Sequence, residues 1–420
     1  MRFLWTVAAA AALFTTAVQA DMSQLAAVLP KCGLQCMMTE IPKSSCAPTD
    51  NVCICTNPQL NEMITACVMQ SCTIRESLTT KNVTSTACGA PVRDKSKAIS
   101  IAGVAGGVIA LIAVILRLLA RLPQLGGGFG LDDVAMIVTM LLVIPLSVLA
   151  VPLANDGLGK DMWTVPFNKI TDILHVYLFS EILYFSSIAL TKISILFFYL
   201  RIFPKRSFRR LCYFVIGLNF SYIITFVCVA VFQCRPIKAA WLRWDGSYAN
   251  SCNNINGQGW AAAVINMVFD ILTMSLPLYE LSQLVLSKKK KFFVMLMFSL
   301  GFFVTIVSII RLQSLVEFAT TSNVTWDYVA IGYWSTIEVH VGVVCACLPA
   351  IRSLLVHVFP SVFKGTTNAA SKASMSHSGA ANSRLDGKIS QKPKEDESDF
   401  VPLVDMDNSS QAYLRHHDGP

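Results

Sequence analysis

Eight of the fourteen cysteines lie in one short segment near the N-terminus. They are Cys32, Cys36, Cys46, Cys53, Cys55, Cys67, Cys72 and Cys88. An even, closely spaced set of this kind is typical of a disulfide framework that forms in an oxidising compartment. A zinc cluster is the alternative, but residues 21–97 contain no histidine and exported cysteines oxidise. We therefore predict a small disulfide-stapled module, which has too few residues to be stable through burial alone.

The cysteine spacing suggests one arrangement among the 105 pairings that eight cysteines allow. Cys32 and Cys36 lie almost on one face of a helix, and Cys67 and Cys72 could face them from a second, antiparallel helix. Cys46 and Cys53 would close a small loop. The expected bridges are thus Cys32–Cys72, Cys36–Cys67, Cys46–Cys53 and, by what remains, Cys55–Cys88.

Four ionisable residues interrupt strongly apolar stretches further along the chain: Glu181, Lys192, Asp270 and Glu338. A charge in hydrocarbon costs about 2.5–3.5 kcal/mol, so these side chains should face a protein interior and be paired. We expect Lys192 to pair with Asp270. Glu181 shares a helix face with Lys192 but lies about three turns away. The resulting polar network would either shift when a ligand binds or fix the helix register, and the sequence leaves both interpretations open.

Seven apolar runs contain these charges, and each approaches the ~20 residues that a bilayer requires. They cover residues 98–119, 132–153, 173–200, 211–232, 259–279, 292–312 and 326–348. Buried helices of a soluble protein are the alternative, which seven successive runs make improbable. Hydrophobic residues are 54% of the chain and charged residues 14%, against about 25% charged in soluble domains. We predict an all-α protein: a small disulfide-stapled helical extracellular domain, then a seven-transmembrane-helix bundle over residues 98–360.

The two ends of the chain are expected to lie outside these folded parts. Residues 1–20 have a positive start, an apolar run and a small-residue site at Val18-Gln19-Ala20, as a secretory signal does. A short first membrane helix is the alternative. The cysteine-rich module would occupy residues 21–92. Residues 361–420 are poor in large apolar side chains, which predicts a disordered cytoplasmic tail with serines that could be phosphorylated.

The orientation follows from the signal and from the basic residues. A cleaved signal places the module outside the cell and the tail inside. Arg117 and Arg121, the basic loop at residues 201–210 and the lysines at 288–291 would then be cytoplasmic, as the positive-inside rule expects. Arg93, Lys95 and Lys97 oppose this rule. We assign the net charge of +8 to these cytoplasmic flanks and expect no nucleic-acid partner. The protein is expected in the plasma membrane.

Two glycosylation sequons and one further cysteine pair agree with this orientation. Asn82 and Asn323 each begin an Asn-x-Thr sequon and would lie outside, where a glycan can be attached. Cys234 and Cys252 lie in the outer loop between the fourth and fifth runs. They could form a fifth bridge, and two free thiols are the alternative.

The cysteine-rich segment resembles the fungal CFEM domain. The resemblance is carried by Pro30, by Asp50, by Cys53-Ile54-Cys55 and by the spacing of all eight cysteines. Some members of that family bind haem through an aspartate between the third and fourth cysteines, which is Asp50 here. The resemblance therefore implies a possible haem-iron ligand, since a carboxylate oxygen favours ferric iron. The alternative is that Asp50 caps or tightens a turn.

The seven apolar runs resemble the fungal rhodopsin-like domain of surface-sensing receptors associated with pathogenicity. The resemblance is carried by Gly130-Leu131-Asp132-Asp133, by residues 190–201, by Asp270 with Leu276-Pro277, and by Ile337-Glu338 with Leu348-Pro349. It implies sensing of an extracellular or surface cue, of unknown identity, and signalling through a heterotrimeric G protein. Retinal is not expected, because residues 326–348 contain no lysine that could form a Schiff base.

The leading functional interpretation is therefore a G-protein-coupled type of cell-surface receptor in a lipid membrane. The alternative is a membrane-anchored haem or iron capture protein that acts through the module. An enzyme is not expected, because the sequence has no Ser/His/Asp set, no phosphate-binding glycine loop and no zinc-ligand spacing.

Overall fold

The computed structural model describes residues 28–125, 127–249, 251–282, 288–318 and 323–358. The predicted signal at residues 1–20 and the predicted tail at 361–420 lie outside these residues. The described chain is almost entirely helical, which confirms the all-α class. A small helical module at the N-terminus precedes a bundle of long helices.

The module contains four helices: α1 (Lys31–Glu40), α2 (Asn51–Thr56), α3 (Pro58–Ser71) and α4 (Ile74–Ala87). Local sequence determines where they start. Asn57 caps α3 by accepting from the backbone N–H groups of Gln59 and Leu60, and Pro58 follows as the first helical residue. Thr73 and Glu76 form a capping box at the start of α4. Leu60 is fully buried at the centre of the small core between these helices.

The bundle contains seven long helices among the described residues. They are α5 (Ser96–Ala120), α6 (Leu131–Asp156), α7 (Phe167–Ile202), α8 (Arg206–Val231), α10 (Ile255–Ser282), α11 (Lys288–Phe318) and α12 (Val324–Val358). Six are long and apolar enough to cross a membrane, and the apolar part of α11, Gly301–Val316, is shorter. Each helix contains one of the seven predicted runs, except that α8 ends one residue before the fourth run does.

The helix α7 lies at the centre of the bundle, because it contacts α6, α8, α10 and α12. The helix α5 approaches its neighbours closely through its glycines. A Cβ at Gly103 would lie 2.5 Å from the Cβ of Ala150, and one at Gly107 would lie 2.7 Å from the Oγ of Ser147. Side chains larger than hydrogen would therefore force α5 and α6 apart.

One folded loop joins α8 to α10. It contains the short helix α9 (Ala239–Leu242) and two antiparallel strands, β1 (Cys234–Arg235) and β2 (Ser251–Cys252). We call the end of the bundle that carries this loop and the module the module face. We call the opposite end, where α5 leads to α6 and α7 leads to α8, the far face.

Candidate ligand site between the module and the bundle

Five disulfides hold the elements around the candidate site. The structure joins Cys32 to Cys72, Cys36 to Cys67, Cys46 to Cys53, Cys55 to Cys88, and Cys234 to Cys252. These pairs are the ones expected from the spacing. Two of them tie α1 to the α3 region, as antiparallel helices with matched cysteines allow. The last bridge joins the paired residues Cys234 of β1 and Cys252 of β2 on the module face.

An ion pair attaches the module to the loop between α8 and α10. The Arg75 Nη2 lies 2.7 Å from the Asp245 Oδ2, and the Arg75 guanidinium lies 5.5 Å from the ring centroids of both Phe167 and Trp244. Burial by itself raises the pKa of Asp245. The hydrogen bonds from Ser247 and Arg75 outweigh burial and hold that pKa below its usual value.

This depressed pKa predicts that docking of the module weakens in acid. A carboxylate whose pKa is lower in the folded state stabilises that state above its unfolded pKa of about 3.9. The contribution is lost as the pH falls through the folded pKa. We expect hydrogen exchange in α4, corrected for the intrinsic rate, to accelerate as the pH falls below about 3.9. Asp245→Asn should already exchange faster at pH 6, and an unchanged α4 in that variant would contradict the assignment.

A second set of contacts surrounds the short segment between the module and α5. Arg93 pairs with Asp161 through its Nε at 3.1 Å, and its guanidinium lies 4.4 Å from the ring centroid of Trp326. Lys95 lies 4.3 Å from the same ring. These are two of the basic residues that oppose the positive-inside rule, and both have local partners on the module face. The rule counts lysines and arginines and not net charge, so these two residues still oppose the expected orientation.

The two sequon asparagines occupy different surroundings. Asn82 is exposed on α4, and this leaves its side chain accessible. Asn323 is partly buried: its amide donates to the Asp161 Oδ1 at 2.8 Å and accepts from the Met162 N–H at 2.9 Å. A glycan on Asn323 would disturb those hydrogen bonds, so Asn82 is the better candidate for attachment.

A wide cavity of about 1010 Å³ lies between the module and the bundle. The module lines it with Ile54, Leu78 and Lys81, and the bundle lines it with aromatic side chains that include Trp244 and Tyr328. This volume is at the upper end of the range for small-molecule sites. The geometry is thus that of a site to which both parts of the chain contribute.

A smaller cavity of about 100 Å³ lies within the bundle. It shares Tyr177, Glu181 and Gly259 with the wide cavity, and Arg311 also lines it. The two cavities therefore lie side by side, and the inner one brings the site close to the buried charges.

The buried charges form one connected network across four helices. The Lys192 Nζ lies 3.1 Å from the Asp270 Oδ1, as expected, and it also donates to the side-chain oxygen of Asn266. The Asn266 amide donates to the Glu338 Oε1 at 2.8 Å. The hydroxyl of Ser308 donates to the same oxygen. Lys192, Asp270 and Glu338 thus meet through Asn266, which the sequence did not identify.

Glu338 also binds residues that face the smaller cavity. The Tyr184 hydroxyl donates to its Oε2 at 2.6 Å, and the Arg311 Nε lies 3.2 Å from that oxygen. Arg311 is only 3% exposed. Sequence reasoning missed this arginine although the sixth run contains it, and the rule that intramembrane charges need partners could have found it.

Glu181 corrects the expected four-residue network. Its side chain lines both cavities, and no Lys, Arg or His nitrogen of the described residues lies within 4.0 Å of its carboxylate. The physical reason is its distance along α7, since the three turns between it and Lys192 place it nearer the module face. Glu181 therefore belongs to the cavity lining.

The far face holds a second buried cluster, and it corrects the expectation for Arg117. The Arg117 side chain is 1% exposed, and its guanidinium lies 2.9 Å from the Asp133 Oδ1 and 2.6 Å from the Asp132 Oδ2. Its Nη1 donates to the Ala346 carbonyl at 2.6 Å. Arg121 contacts both aspartates at 3.1 and 3.4 Å. Arg117 thus fastens α5, α6 and α12 together and is not a solvated flanking charge.

Asp50 acts as the N-cap of α2. Its carboxylate accepts from the Cys53 backbone N–H at 3.0 Å, and its side chain is exposed to solvent. The wide cavity does not include it. A haem site needs an apolar cleft around its axial ligand, so the geometry here favours capping over iron ligation.

Comparison with known proteins agrees with both parts of the structure. The model of the fungal rhodopsin domain matches residues 116–357, and that of the CFEM domain matches residues 25–89. A SAT4 family membrane protein of Emericella nidulans is 30% identical over 51% of this chain and 54% of its own length. Receptor GIN3 of Arthrobotrys oligospora is 25% identical over 70% of this chain and 69% of its own.

A third relative, Fugralins biosynthesis cluster protein 2 of Gibberella zeae, is 26% identical over 48% of this chain and 51% of its own length. The chain thus spans about half the length of two of these relatives. No solved structure matches it. The domain match covers more than half of the chain and includes all seven long helices in part or whole. The chain therefore belongs to the fungal rhodopsin domain family of membrane proteins, with a CFEM domain preceding the helices.

Proposed function

We propose that this protein is a cell-surface receptor whose ligand site is the wide cavity between the CFEM domain and the helical bundle. The observation that carries the proposal is that the two cavities share lining residues, and that Arg311 and Tyr184 of the smaller cavity contact Glu338 of the buried network. A ligand that changes the position of Arg311 acts on Glu338, and through Asn266 on Lys192 and Asp270. The likeness to Receptor GIN3 supports the same class of function.

In this proposal the module face lies outside the plasma membrane and the far face meets a heterotrimeric G protein. The start of α8 supplies the contact surface, since Arg206, Arg209 and Arg210 are exposed there. A basic surface of this kind steers an acidic partner to its docking site. The match to the fungal rhodopsin domain and the likeness to Receptor GIN3 fit a receptor and not an enzyme.

Nucleotide exchange tests this coupling. The full chain in lipid nanodiscs should accelerate GTPγS uptake by a purified fungal Gα subunit with its βγ partner. Arg209→Glu together with Arg210→Glu should reduce that acceleration by about tenfold, because charge reversal repels an acidic docking surface. The matched control is Lys238→Glu, an exposed basic residue on the module face. Equal exchange with the double variant and the control would reject this docking surface, and no acceleration at all would reject G-protein coupling.

The haem capture alternative has a weaker basis. It requires an exposed capping aspartate to leave its hydrogen bond with the Cys53 N–H and bind iron. The receptor proposal uses contacts that the chain already makes.

A further inference from the structure

The inner cavity has a buried cation with unused hydrogen-bond donors. Within the described residues, the Nε and Nη2 of Arg311 have no hydrogen-bond partner, although its Nε lies 3.2 Å from Glu338. The geometry at that distance suits an ion pair but not a hydrogen bond. A buried donor left unsatisfied costs about 1–3 kcal/mol. The site therefore favours an occupant that presents an acceptor to Arg311.

The same cavity has an acceptor without a cation beside it. Glu181 lines the cavity together with Arg311, and no described cation lies within 4.0 Å of its carboxylate. An occupant that also donates a hydrogen bond would satisfy this group. At about 100 Å³ the cavity has room for about three waters, or for the polar end of a ligand.

With all three carboxylates ionised, the charges near this cavity disfavour two classes of head group. Lys192 and Arg311 are two positive charges, and Asp270, Glu338 and Glu181 are three negative ones. A carboxylate head would add a second uncompensated negative charge. An ammonium head would pair with Glu181, but it would lie beside the Arg311 guanidinium and leave its donors unused.

A neutral hydroxyl or diol head suits both groups, because a hydroxyl can accept from Arg311 and donate to Glu181, which line the same cavity. The apolar remainder of such a molecule would extend into the wide cavity, among Tyr177, Tyr328 and Trp244. We propose that the ligand of this site is an uncharged amphiphile with a hydroxyl or diol head bound between Arg311 and Glu181. This inference rests on the proposed receptor function and names the class of its ligand.

Three radiolabelled probes with the same twelve-carbon chain separate the head groups: 1,2-dodecanediol, dodecanoate and dodecylamine. Binding is measured to the full chain in nanodiscs and to Gly259→Phe, which fills the junction of the two cavities. Subtracting the amount of probe bound by Gly259→Phe from the amount bound by the wild type removes the contribution of partitioning into the lipid. We expect the diol to bind the wild type about tenfold more tightly than either charged probe. Lys81 and Arg243 also line the wide cavity and attract a carboxylate. Of the two charged probes, dodecanoate is therefore expected to bind more tightly than dodecylamine.

A second variant tests the head-group contact independently of the cavity-filling change. Glu181→Gln should weaken the diol by about tenfold, as expected for one hydrogen bond to a charged group, and should improve dodecanoate. Tighter binding of a charged probe by the wild type would overturn the hydroxyl assignment while leaving a receptor site in place. Equal binding of all probes to wild type and Gly259→Phe would reject the site itself. If the wild type binds the diol but does not accelerate nucleotide exchange on the G protein, only the proposed G-protein coupling is rejected.

Discussion

Replacing Arg117 by alanine is expected to destabilise the helical bundle by about 3–5 kcal/mol. The change removes the guanidinium from between Asp132 and Asp133, which are 2% and 0% exposed. Arg121 remains, but its contacts with them are longer, at 3.1 and 3.4 Å. The Ala346 carbonyl also loses its donor. Thermal unfolding of the purified protein in detergent measures the effect.

Arg210→Ala is the matched control, because it removes an exposed arginine from the same face of the bundle. It should change stability by less than about 0.5 kcal/mol. The loss of stability in Arg117→Lys should lie between those of Arg117→Ala and Arg210→Ala, since one ammonium group cannot reproduce three directed hydrogen bonds. Similar unfolding temperatures for Arg117→Ala and Arg210→Ala would show that the far-face cluster does not hold the helices together.

Replacing Glu338 by alanine is expected to have a comparable cost, about 3–5 kcal/mol, for a different reason. Arg311 loses its only ion-pair partner among the described residues, and the Tyr184 hydroxyl loses its acceptor. The Asn266 amide keeps only its longer contact with Asp270, at 3.4 Å. A fully buried arginine without a counterion is highly unfavourable. The same thermal unfolding experiment measures this loss.

The double variant with Glu338→Gln and Arg311→Gln separates charge from packing. It removes one negative and one positive charge together, so it should recover at least half of the stability lost in Glu338→Ala. If the double variant is as unstable as Glu338→Ala, the ion pair is not the reason for the effect. Separate measurement of nucleotide exchange would then show whether the pair matters for signalling.

Part of the site could be predicted because simple rules constrain it strongly. Helical periodicity brings Cys32 and Cys36 to one face, and two cysteines at nearly matching spacing in a second helix leave few antiparallel pairings. The cost of charge in hydrocarbon requires a partner for Lys192, and Asp270 is an acidic residue at a similar depth.

Other residues could not be placed because the rules at helix ends are ambiguous. An arginine near the end of an apolar run is usually a solvated flank, and the sequence does not show that Asp132 and Asp133 fold back against Arg117. The cavity depends on docking between two parts whose contacts are far apart in sequence. The pair formed by Arg75 and Asp245 spans 170 residues. No local pattern predicts such a contact.

The central claim is that the module and the bundle enclose one cavity that opens outside the cell. Gly259→Cys, in a Cys228→Ser background, places a thiol where the two cavities join, and Gly217→Cys places one on the exposed surface of α8. The measurement is modification by a small, charged, membrane-impermeant thiol reagent added to intact cells. We predict that residue 259 reacts at least about tenfold faster than residue 217, because charged reagents enter water-filled cavities and not lipid. Equal, slow reaction at both positions would contradict an outward-opening site.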